Sequence, residues 1–128
     1  MAFGTVVLVD DEAVLTRVVS EVLESYGLEV HSASDSTEAL GLLHKVKPDL
    51  LITDIMMPEV DGLMLVRLLR SDPEWASLPV LVVSALASPS DKSDAGTAGA
   101  SAFLQKPFTK DELRAAVEAF IPLAQPTA

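Results

Sequence analysis

Three carboxylates, a hydroxyl and an ammonium group stand where short apolar runs of this chain come to an end. Asp10 and Asp11 follow TVVLV (5–9), Asp54 follows LLIT (50–53), Ser84 closes VLVVS (80–84), and Lys106-Pro107 follows AFLQ (102–105). Gathered on one rim, such carboxylates repel: two of them about 4 Å apart cost roughly 4 kcal/mol at an effective dielectric near 20. A positive partner is needed. The three carboxylates and Lys106 leave two negative charges, which a single divalent cation neutralises. All-oxygen ligands favour magnesium, manganese or calcium over zinc or copper. Magnesium takes one or two protein carboxylates and keeps positions free for phosphate oxygens. Taken singly, the same residues have plainer readings. Asp10-Asp11 could be a solvated turn or a helix start, Asp54 a turn cap, Ser84 a partner for a backbone group, and Lys106 a loop residue.

The chemistry requires elements that bring these run ends together. TVVLV, LLIT and VLVVS are almost continuously apolar, as expected of strands covered on both faces of a parallel sheet. Glu29–Ala33 and Ala102–Gln105 are more mixed and suit the sheet edges. Between them, apolar residues recur at helical spacing. Val14, Val18 and Val22 with Leu15, Val19 and Leu23 mark a helix ending near Tyr26-Gly27. Ser36–Lys47, Gly62–Arg70 and Thr109–Ile121 give three more, the last opening on the Thr109/Glu112 spacing of a capping box. The stretch Ser90–Ala100 (SDKSDAGTAGA) is rich in turn-favouring residues, so its helix is expected to be short or mobile. Alternating strands and helices predict an α/β fold: a doubly wound five-stranded parallel sheet with helices on both faces. In such sheets ligands bind beyond the carboxyl ends of the strands. The chemical residues are expected there.

Composition narrows the function. The chain has 128 residues, 49% of them hydrophobic, enough for one domain with a real core. Nineteen acidic against nine basic residues give a net charge of −10, which repels phosphate backbones and argues against direct nucleic-acid binding. There is no cysteine, so thiolate metal sites, disulfides and cysteine catalysis are excluded. No stretch resembles a signal peptide or approaches the roughly 20 apolar residues of a membrane span. A cytoplasmic protein without membrane contact is the expectation.

These residues resemble the receiver domain of two-component response regulators, over about residues 4–122. Asp10 and Asp11 match the acidic pair of that family, and Asp54-Ile55-Met56-Met57-Pro58-Glu59-Val60-Asp61-Gly62 matches its D-x-x-M-P-x-x-D-G pattern. Ser84-Ala85 matches the switch hydroxyl and its small neighbour, Phe103 the switch aromatic, and Lys106-Pro107-Phe108 the K-P-F after the last strand. The resemblance implies the flavodoxin-like strand order 2-1-3-4-5 and a single receiver domain over 1–128, with residues 123–128 a disordered tail. It implies that Asp54 is the phosphoacceptor, assisted by Lys106 and Ser84, and that Mg2+, or alternatively Mn2+, is the cofactor. The cation's ligands would be Asp11, Asp54 and the backbone carbonyl of Met56, with Asp10 acting through a metal-bound water. Pro107 is expected to follow a cis bond. Ser84 and Phe103 would switch the surface formed by the fourth helix, fifth strand and fifth helix.

The implied partners are a sensor histidine kinase or phosphotransfer protein and an output partner or effector domain, with dimerisation on phosphorylation a further expectation. The implied role is a switch with slow self-dephosphorylation rather than an enzyme. A rival is an aspartate-nucleophile phosphatase, against which Ile55-Met56 leaves no second acid two residues after Asp54. A flavin mononucleotide carrier would need a Ser/Thr/Gly-rich loop where Asp10-Asp11-Glu12 stands. A scaffold-only pseudo-receiver sits badly with the complete acid set.

Overall fold

The computed structural model describes residues 4–55, 61–85 and 88–123. Strands and helices alternate through ten elements: β1 (Gly4–Val9), α1 (Ala13–Ser25), β2 (Leu28–Ala33), α2 (Ser36–Val46), β3 (Leu50–Asp54), α3 (Gly62–Arg70), β4 (Val80–Ser84), α4 (Pro89–Ala98), β5 (Ala102–Gln105) and α5 (Lys110–Glu118). The five strands are parallel in the order β2-β1-β3-β4-β5, so the two mixed runs lie at the edges as expected.

The apolar strands split their side chains between two cores because successive residues of a strand face opposite ways. Val7, Val9, Leu51, Val80 and Val82 pack with Ala39 and Leu43 of α2, Leu65, Val66 and Leu69 of α3, and Ala95 and Ala98 of α4. Val6, Leu8, Leu50, Ile52, Leu81 and Val83 pack with Val19 and Leu23 of α1 and Leu113 and Val117 of α5. With both faces covered, the polar strand ends have one way out, at the carboxyl edge. No helix among the described residues is long and apolar enough to cross a membrane.

The helix starts follow from capping chemistry. Asp35 accepts from the Glu38 amide at 2.8 Å and Asp61 from the Met64 amide at 2.9 Å. Thr109 and Glu112 form the capping box read from their spacing. The expectation of a short or mobile fourth helix is corrected in its length, for α4 runs ten residues. Ser88 and Asp91 close a capping box at one end, Pro89 stands at the first turn, and Gly99 takes the left-handed C-cap at φ 111°. End caps offset the poor propensity of the Ser/Asp/Gly interior, whose packing is limited to the buried Ala95 and Ala98.

Candidate functional site

Asp10 directly follows β1, Asp54 is the last residue of β3, Ser84 the last of β4, and Lys106 directly follows β5. Register sets their depth: Val9 lies beside Thr53, Asp54 beside Val83, and Ser84 beside Gln105. Asp10 and Asp54 are only 3% and 4% exposed, a costly burial for carboxylates without partners. Lys106 supplies the partner. Its Nζ donates to Asp10 Oδ2 and Asp54 Oδ2, both at 2.9 Å, and lies 3.5 Å from Glu12 Oε1. The lysine is itself held, since its backbone amide donates to the Ser84 carbonyl at 2.9 Å. The Lys106-Pro107 bond is cis, as expected.

Burial alone would lower the Lys106 pKa. Hydrogen bonds to Asp54 and then Asp10, reinforced by their charges, outweigh that and raise it from 10.5 to about 12. The ammonium therefore stays charged across the physiological range. The other Asp10 oxygen, Oδ1, accepts from the Glu12 amide at 2.9 Å, so both oxygens of Asp10 are engaged.

Asp11 lies apart from this cluster, exposed at the approach to α1. Ser84, the last residue of β4, is fully buried. Phe103 is partly buried and packs on the core shared by α2, α3 and α4. Met56 and the rest of 56–60 lie outside the described residues, as does the tail from 124. Two residues carry more than their sequence signals suggested. Glu12 stands in the loop after the first apolar run, yet its carboxylate joins Asp10 and Asp54 in a group in which one oxygen from each lies within 4.8 Å of the others. Gly62 stood only as the end of the D-x-x-M-P-x-x-D-G pattern and the start of a helix, yet a Cβ there would overlap the Asp54 carbonyl oxygen, so only glycine lets α3 start against the phosphoacceptor candidate.

A cluster of carboxylate oxygens around one ammonium fits a hard divalent cation and has no soft donor to suit zinc or copper. It also suits an anion arriving beside Lys106, since a phosphoryl group needs positive charge more than covalent help.

Comparisons with known proteins found a family model, curated relatives and solved structures that match the chain. The model of the response regulator receiver domain matches residues 6–118. The response regulator Rre1 of Synechocystis is 41% identical over 88% of this chain and 49% of its own length. Protein PilG of Pseudomonas aeruginosa is 31% identical over 94% of this chain and 90% of its own. The solved structure of the chemotaxis protein CheY4 of Vibrio cholerae superposes with a TM-score of 0.86 at 32% identity, covering 94% of this chain and 98% of that one. The chain spans about half the length of several relatives, Rre1 among them.

Proposed function

The chain belongs to the response regulator receiver domain family, and on that premise we propose that it is a phosphorylation switch whose acceptor is Asp54. The observation that carries this is the Lys106 ammonium, 2.9 Å from an oxygen of Asp54 and 2.9 Å from one of Asp10. It fixes the nucleophile's position and stands where a transferring phosphoryl group gathers charge.

A carboxylate oxygen of Asp54 attacks the phosphorus of a phosphohistidine on a sensor histidine kinase or phosphotransfer protein. The P–N bond breaks, its electron pair leaves on the imidazole nitrogen, and Asp54 becomes an acyl phosphate. Water later cleaves that P–O bond, returning the carboxylate and inorganic phosphate, so the protein completes a slow cycle rather than turning over a small substrate. Magnesium, or manganese in its place, supplies positive charge for the phosphoryl oxygens. Asp11, Asp54 and the Met56 carbonyl would hold it directly. The two engaged oxygens of Asp10 suit it to act through a bound water, while exposed Asp11 is open to turn inward.

After transfer, the Ser84 hydroxyl donates to a phosphoryl oxygen and draws the following loop inward, and Phe103 turns into the space left. The surface of α4, β5 and α5 then changes for an output partner, an effector domain or a second copy of the chain. The chain's net charge of −10 argues against nucleic acid as a direct partner, and a cytoplasmic setting fits a cysteine-free chain.

The test is incubation with a small acyl-phosphate donor and Mg2+, read by intact mass. Wild type is expected to gain one phosphoryl group and Asp54→Asn none. Equal gain by both proteins, or steady hydrolysis of phosphate esters over many turnovers, would overturn the assignment.

A further inference from the structure

Glu12 is the acid of the site to which this reading gives no task. It is the N-cap residue of α1, where a side chain commonly accepts from the first helical amides, yet it makes no cap hydrogen bond. Its carboxylate turns instead toward Lys106 Nζ, 3.5 Å away, within the group formed with Asp10 and Asp54. The backbone fixes this direction. The Glu12 amide donates to Asp10 Oδ1 at 2.9 Å, and its carbonyl accepts from the Thr16 amide and the Thr16 hydroxyl, both at 3.0 Å. The side chain is 65% exposed, so its pairing with Lys106 contributes little to stability. Its charge nevertheless enters every balance made at the rim.

Asp10, Asp11, Glu12 and Asp54 against Lys106 leave three negative charges, and a divalent cation leaves one. We infer that Glu12 tunes the site in two opposed directions: it strengthens the hold on the divalent cation and resists the approach of a doubly charged phosphodonor. The first half rests on the charge count and geometry alone. The second rests on the phosphoacceptor reading. A receiver built this way binds its cation well when idle and reacts sluggishly with small free donors. The resistance matters less for a protein donor, whose docking contacts hold the phosphohistidine in place.

The experiment is calorimetric titration of Mg2+ and Mn2+ into wild type, Glu12→Gln and Glu118→Gln, the last removing the same charge from α5, where Glu118 pairs with Arg114 at 3.7 Å. Glu12→Gln is expected to weaken cation binding by about three- to tenfold, and Glu118→Gln by less than about twofold. At cation concentrations saturating both variants, Glu12→Gln should take up phosphoryl from the acyl-phosphate donor about threefold faster than Glu118→Gln. Cation affinities that match in the two variants would overturn the inference, and slower uptake by Glu12→Gln would overturn its donor half. Failure of the phosphoacceptor reading looks different: no variant gains Asp54-dependent mass while the calorimetric contrast persists. A merely structural Glu12 would not move affinity and rate in opposite directions.

Discussion

The rim at the carboxyl ends of β1, β3 and β5 and the helix α4 are held by different physics. At the rim, mostly apolar strands deliver charged groups that are largely buried. Asp10 and Asp54 can sit there because Lys106 meets both at 2.9 Å. α4 buries Ala95 and Ala98 and depends on Ser88, Asp91 and Gly99 at its ends. A site that must hold charges in fixed positions gains from rigid strands. An element that must shift between two positions gains from shallow packing, because little contact is lost when it moves. Under the proposed switch, chemistry belongs to the part that cannot yield and readout to the part that can.

The hardest blow to the first half of that contrast is removal of the ammonium. Lys106→Met is expected to slow phosphorylation of Asp54 by about 10²- to 10³-fold at saturating cation, the scale of losing one preorganised charge donor. The time course of mass gain checks it. An unchanged rate would mean that the cation alone stabilises the transferring group and that the rim is less exacting than its geometry suggests.

The same residue sharpens the contrast through pH. The folded chain holds the Lys106 proton more tightly than the unfolded chain, with a pKa of about 12 against 10.5. Its contribution to stability is therefore fully present below pH 10.5 and lost as the pH rises through about 12. The full value is at most about 2 kcal/mol, and less after solvent screening at the open rim. The gap in urea midpoint between wild type and Lys106→Met should stay constant from neutral pH to 10.5 and narrow above it. A gap that narrows near neutrality would assign the proton to another group.

The two regions also differed in how well the sequence announced them. Continuous runs such as TVVLV and VLVVS give strands whose order and ends follow from general rules, so Asp10, Asp54 and Lys106 could be placed on one rim from spacing alone. Glu12 was illegible because its role depends on where the first turn of α1 aims a side chain, which no periodicity encodes. Ser84, expected at the end of the fourth strand, stands there and is buried like Asp10 and Asp54. In α4 the interior propensities pointed to a short or mobile segment, and the length came from its ends. Ser88, Pro89, Asp91 and Gly99 are a start and a stop signal, and weighing them as a pair would have given the helix its ten residues.

A matched pair of cap deletions tests the second half of the contrast with the smallest effect. α4 and α5 both open on capping boxes, Ser88/Asp91 and Thr109/Glu112, but α5 also anchors Leu113 and Val117 in the core. Losing either hydroxyl should cost about 1 kcal/mol of helix stability. In α4, packing is too slight to tie the helix to global unfolding, so its amides should exchange through a local opening that urea hardly accelerates, and Ser88→Ala should speed that exchange about fivefold. In α5, local opening would expose Leu113 and Val117, so exchange follows global unfolding. Exchange in α5 should then rise with urea as steeply as that of the strands, before and after Thr109→Ala. The same steep urea dependence in both helices would show that α4 unfolds with the rest of the domain, and that its shallow packing does not make it separately mobile.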